Sequence, residues 1–409
     1  MIGRMGKGEN AWLAGSRQRR GWAVVFLCLV LSFWQYPKQV LASEKETYQY
    51  SGWVDGVITE LLGQDLNEVE GFLQQEAGDT GITFTGLIQA LMDGDGKEAG
   101  RMILAGLQRN LIQEISHGWR LAGELLALGL MGAVFANFSS IFTGSQISET
   151  AFFMIYLLAF TVLAAAFTDS MEIVRQVLVK QTEFMQVLIP CYFPVAAWSG
   201  GSVSSAAWME FLMFLIAVVQ RLYLSILLPL TKVYMLLVMA GNLAQPDMLS
   251  KITGLLKSVI GWGRRSLVGL VLGFQLVQGM VLPYADSVQA AGVNKILQAI
   301  PGVGDSAGAV TKMVLGAGVL VKNTMGAAAV AVLAVLSVVP LLKLAVLLFM
   351  YQSVAGVLQP VGDKRFISCI SEIAEGQKML LGLAGSGLLL FVITIALICV
   401  GTNGVYMGT

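Results

Sequence analysis

The chain has 409 residues, of which 56% are hydrophobic and 13% charged, with a mean hydropathy of +0.72. A soluble domain carries about 25% charged residues; here the shortfall sits in long apolar runs, which excludes an ordinary soluble enzyme and predicts an all-α, polytopic integral membrane protein in the lipid bilayer. With 26 basic against 26 acidic residues the formal net charge is zero, so no nucleic-acid partner is expected.

Arg17, Arg19 and Arg20 precede the apolar run Trp22–Trp34, and a more polar stretch follows that ends Val40-Leu41-Ala42. This order predicts a secretory signal peptide over 1–42, cleaved after Ala42, with an uncleaved anchor as the alternative. Residues 43–118 hold 13 acidic and four basic residues, a balance that fits the extracytoplasmic side. They read as a small region of amphipathic helices broken by glycines, the last over 97–116 with Met102, Ile103, Leu107, Leu111 and Ile115 on one stripe. Asp93-Gly-Asp95-Gly-Lys97 begins like a calcium loop, but Lys97 stands where an oxygen ligand belongs, so it reads as a turn.

Membrane spans are predicted at 121–143, 151–168, 266–284, 326–350 and 379–400. The stretch 206–240 is too long for one crossing and is interrupted by Gln220-Arg221 and Pro229, so it reads as a kinked helix or a half-helix and a span. The run 184–198, with Pro190 and Pro194, reads as a short broken segment, as does 305–322, neither spanning fully. Segments 119–183 form a first membrane hairpin and connector; 184–290 and 291–409 then read as two membrane repeats. Ser258–Leu270 aligns with Ser371–Leu383 on S-x-I-small-x-G-x-basic-x-L-x-G-L, Pro229-Leu-Thr-Lys232 with Pro340-Leu-Leu-Lys343, and the stretch from Pro194 with that from Pro301. The basic segments 247–265 and 361–378 should both be cytoplasmic, which requires parallel copies and an outside C-terminus. The closing spans carry small-xxx-small pairs, Gly269/Gly273 and Gly382/Ser386, suited to close helix packing.

Few residues offer chemistry. Lys232 and Lys343 occupy equivalent repeat positions in or near spans, where a lysine either faces a polar interior or a partner, or snorkels to the interface. Glu124, Glu210 and Arg221 are candidate counter-charges, with helix ends and breaks the plainer explanation for Glu124 and Arg221. Gly302-Val-Gly304-Asp305 has the G-x-G-D pattern of intramembrane aspartyl proteases, which need a second carboxylate; Asp169 and Asp286 are the available ones, and a loop turn is the simpler reading. There is no Walker A or H-E-x-x-H sequence. His117 is the one histidine, and Cys191, Cys369 and Cys399 lack paired spacing. No catalytic, cofactor or metal site is expected. Composition and repeat are compatible with a non-enzymatic machine subunit or with a self-sufficient secondary transporter of a small solute.

Ile300–Val310, Leu320-Val-Lys-Asn-Thr-Met-Gly326, Pro340-Leu-Leu-Lys343 and Gln359-Pro-Val-Gly-Asp363 resemble the stage III sporulation protein AE family. The order of signal peptide, exported acidic region and polytopic region agrees with it. The resemblance implies an origin in an endospore-forming member of the Firmicutes and a place in the mother-cell membrane around the forespore. It also implies partners: the other membrane proteins of the same sporulation operon, including a secretion-type ATPase and ring-forming subunits, and a forespore membrane protein across the intermembrane space. Together they would form a channel, likened to a feeding tube, with the energy supplied by another subunit.

Overall fold

The computed structural model describes residues 66–75, 83–92, 100–101, 119–134, 145–198, 203–243, 249–298 and 304–401, which are helices and short turns without a strand among them. They belong to one compact unit, Ile58–Thr409. The signal segment 1–42, the turn at 93–97 and all but residues 100–101 of the predicted helix 97–116 lie outside the described residues.

Two short helices open the fold. Helix α1 (66–75) buries Leu66, Val69 and Leu73, one face at helical spacing. Helix α2 (Phe84–Met92) buries Phe84, Leu87 and Ile88. Its free N-terminal donors are answered twice: Thr83 Oγ1 accepts from Gly86 N at 3.2 Å, and the Glu70 carboxylate of α1 accepts from Phe84 N at 2.8 Å. Helix α3 (119–134) follows.

The next helix corrects the sequence reading. Residues 184–198 are not a separate broken segment but the end of α4 (Ser145–Trp198), a single 54-residue helix about 81 Å long. Pro190 and Pro194 fall in its last turns, where each forfeits only one backbone bond, and the buried face continues past them through Leu188, Cys191, Tyr192 and Val195. The segment 305–322 is likewise the start of a 55-residue helix, α8 (Gly304–Leu358). Once Pro301 is passed, no proline interrupts the chain until Pro340, so nothing breaks the backbone ladder there.

The stretch 206–240 resolves into α5 (Val203–Leu222), a π-turn (Tyr223–Leu227) and α6 (Leu228–Leu243) in direct succession. Leu228 N–H bonds Tyr223 O across the wide turn. One extra residue per turn relieves the clash that the Pro229 ring would otherwise make with the preceding turn. Helices α7 (Ser250–Gln298) and α9 (Lys364–Gly401) complete the bundle.

Side-chain contacts define its topology. Leu227 lies against Gly263 and Phe211 stacks on Phe274 with ring centroids 5.0 Å apart, so α5–α6 and α7 form an antiparallel hairpin. In the second hairpin, Gln377 donates to Leu344 O and Lys322 to Cys399 O, which makes α8 and α9 antiparallel along their length. The two second arms run parallel: Arg264 and Gln275 of α7 find partners 118 and 119 positions further on, in α9. Helix α9 is the hub, touching α4, α5, α6, α7 and α8. Phe72 of α1 packs on Phe184 of α4 at 5.9 Å, and α2 lies against α8, so this part of 43–118 rests on the bundle.

Among the described residues four stretches are long and apolar enough to cross a membrane: Phe153–Tyr192, Glu210–Asn242, Gly316–Leu358 and Lys364–Cys399. The spans expected at 151–168 and 326–350 are not side by side. Gln181 meets Ser337 and Tyr192 meets Gly326, so 151–168 lies further towards the turn between α8 and α9. Hydropathy picks the most apolar stretch of each helix, and on a helix as long as α4 that stretch need not be level with its neighbour's.

Candidate functional site

A layer of buried polar side chains crosses the bundle around Gly387 of α9. Gln181 (α4) donates to Ser337 Oγ (α8) at 2.9 Å. Gln220, at the end of α5, is 1% exposed, and neither its amide nitrogen nor its amide oxygen has a partner among the described residues. The Oε1 of Gln181 is also buried without a partner among the described residues, and the buried Tyr223, the first residue of the π-turn, lies close by. Gly387 makes the convergence possible: a Cβ there would lie 2.6 Å from Gln181 Oε1, 2.8 Å from Leu178 Cδ2 and 2.9 Å from Gln220 Nε2. An unpaired buried amide is costly, and π-turns inside α-helices frequently mark functional positions.

Similar bonds lie above and below this layer. Gln275 of α7 donates to Thr394 Oγ1 of α9 at 2.5 Å, and both residues are buried. At one end of the bundle Lys322, whose side chain is fully buried, donates to Cys399 O at 3.2 Å, on the last carbonyls of α9. A cation there meets the negative end of the helix dipole. Tyr192 Oη and Cys399 Sγ are 3.2 Å apart beside it, and Gly326 leaves room for both.

At the other end, Lys257 of α7 and Lys378 of α9 share the Glu375 carboxylate at 3.2 and 3.1 Å. Two turns towards the middle, the Arg264 guanidinium lies over Gly382, with Nη1 donating to Gly382 O at 3.3 Å. A Cβ on residue 382 would be 3.0 Å from its Cζ, so glycine is the seat of that side chain. Burial lowers the Arg264 pKa from its ordinary value, yet a guanidinium remains charged throughout the physiological range.

The residues singled out from sequence are scattered through this frame. Lys232 is exposed on α6 and Lys343 half-buried on α8. Tyr234 bonds Glu372 O and Gln377 bonds Leu344 O, so both lysines lie near the level of Lys257 and Lys378. Glu124 is exposed and pairs with Arg120 at 3.2 Å. Arg221 is exposed beside the buried Gln220. The two small-residue pairs differ: Gly269 and Gly273 face open space, whereas Gly382 seats Arg264 and Ser386 is buried. Gly304 opens α8.

Sequence reasoning gave no site role to Gln181, Lys322 and Gln275, and read Gln220 only as a helix interruption and Arg264 only as part of a basic segment. The available signal was a polar residue isolated in an apolar run, which is costly at membrane depth unless it has a partner. No group of three or more His, Cys, Asp or Glu is placed to hold a metal among the described residues. The layer contains amides and hydroxyls, which is hydrogen-bonding chemistry between helices.

Comparison with known proteins adds three findings. The family model described as stage III sporulation protein AE matches residues 82–402. The stage III sporulation protein AE of Bacillus subtilis (strain 168) is 23% identical over 346 residues, covering 84% of this chain and 86% of that protein. No solved structure matches.

Proposed function

Since the chain belongs to the stage III sporulation protein AE family, which ties it to sporulation, we propose that it is a non-enzymatic membrane subunit of a channel between mother cell and forespore. The family match over 82–402 carries this reading. In it, the protein sits in the mother-cell membrane around the forespore, its first 42 residues are a signal peptide, and 43–118 face the intermembrane space. Its partners are the other membrane proteins of the same operon, an ATPase and ring-forming subunits among them, and a forespore membrane protein opposite.

Features of the bundle support a role inside a larger assembly. Glu183 and Arg221 are exposed on α4 and α5, two residues from Gln181 and one from Gln220 of the central layer. Charge exposed at that depth is costly against hydrocarbon, and a neighbouring subunit or an aqueous path removes the cost. The two hairpins with parallel second arms, each first arm carrying a P-L-x-K sequence, fit an internal duplication over 184–290 and 291–409. The basic starts of α7 and α9 then share one membrane face, which we assign to the cytoplasm.

Deletion of the gene in a spore-forming host, followed by imaging of sporulating cells, tests the proposal. Completed engulfment followed by small, collapsing forespores is the expected result. Normal spores from the deletion strain would overturn it.

A further inference from the structure

Arg264 has more hydrogen-bonding capacity than the protein uses. A guanidinium has five donors, and among the described residues the one bond Arg264 makes goes to the Gly382 carbonyl. Among the described residues no carboxylate pairs with it, and Glu375, about two turns away, is already held by Lys257 and Lys378. Arg265, the next residue, is exposed, with only its Nε engaged, on Gly261 O at 3.0 Å. Trp262 projects beside them and is 69% exposed. The place is the edge of a long uncharged stretch, since no charged residue occurs in α9 after Lys378 or in α7 between Ser266 and Ala285. Arginine, lysine and an exposed tryptophan at the end of such a stretch mark a bilayer interface.

We propose that Arg264 and Arg265, with Gly382 as the seat of the first and Trp262 on the rim, form a headgroup site for an anionic phospholipid in the groove between α7 and α9. The planar guanidinium fork matches phosphate oxygens in a bidentate manner, and basic sites between transmembrane helices on one leaflet are suited to such headgroups. The Arg264 stem buries against α9 while its free N–H groups turn to the lipid phosphate. Trp262 lies along the glycerol level. The inference needs the membrane reading and is independent of the channel role.

The test is thermal unfolding of the purified full-length protein in neutral detergent micelles doped with phosphatidylglycerol or phosphatidylcholine, with native mass spectrometry counting retained lipid. Phosphatidylglycerol is expected to raise the midpoint by about 3–5 °C over phosphatidylcholine, as saturation of a specific site does. The Arg264→Gln/Arg265→Gln double variant should lose that rise and one retained lipid. Lys251→Gln, near the start of α7, should keep both, and Arg264→Lys, which preserves charge should the double variant fold poorly, should keep part. Gly382→Ala, which displaces the guanidinium, should weaken retention. An undiminished rise in the double variant would overturn the proposal. So would an equal rise with inorganic phosphate alone, which would make this a free-anion site. Loss of assembly with other membrane proteins, with lipid retention unchanged, would assign the arginines to a protein surface instead.

Discussion

Replacing Gly387 with alanine puts a methyl group where the side chains of two other helices already meet. The new Cβ would lie 2.6 Å from Gln181 Oε1, 2.8 Å from Leu178 Cδ2 and 2.9 Å from Gln220 Nε2, so α4 and the end of α5 must both give way. Overpacking of this kind costs about 1–3 kcal/mol. Displacing Gln181 also weakens its bond to Ser337, and interhelical hydrogen bonds in membrane proteins contribute about 0.6 kcal/mol on average. Against this stands the gain of about 1 kcal/mol that alanine brings over glycine within a helix. Gly385 is the internal control: it lies two residues away on the same helix, with no atom within 4 Å of the equivalent Cβ, so Gly385→Ala should collect the helix gain alone. The two variants should therefore differ by about 2–4 kcal/mol, and their melting midpoints in detergent by about 2–5 °C. Equal midpoints would refute the convergence on Gly387 and with it the central layer.

The remaining predictions concern the bonds that tie other helices to α9. Gln275→Leu and Thr394→Val should each destabilise by about 0.5–2 kcal/mol, and the double variant should lose less than the sum of the two, because each single change strands the other's buried polar group; a thermal-unfolding double-mutant cycle measures this. Lys322→Met removes the cation that holds the last carbonyls of α9, so proteolysis near the C-terminus should become faster while the opposite end keeps its protection. Phe72→Ala removes the stacking of α1 on Phe184, and limited proteolysis should then cleave around 66–92 ahead of the bundle.

Much of the fold was legible in the amino-acid order, because an apolar helix of membrane length has no other way to satisfy its backbone in lipid. The helical class and the interruption near Pro229 were readable in this way. Helix continuity at 184–198 and 305–322 was not. Proline and glycine count there as local breakers, but whether a helix stops depends on whether its buried face continues. On α4 that face runs on through Cys191, Tyr192 and Val195. The candidate layer was less legible still. Gln181, Gln220, Ser337 and Gly387 lie on four helices, and Gln181 and Ser337 are 156 positions apart, a distance over which no periodicity carries information.

The sequence alone therefore determined that this protein is helical and built for a membrane, and through its resemblance which family it belongs to, since composition and local order carry both. Tertiary structure decided what each polar residue does. A lone glutamine or arginine in an apolar run has the same local cost wherever it occurs, and only packing supplies its partner. That is why Lys322 closes a helix end, Arg264 rests on a glycine of another helix, and Lys232, singled out for the same intramembrane charge, stands exposed on α6.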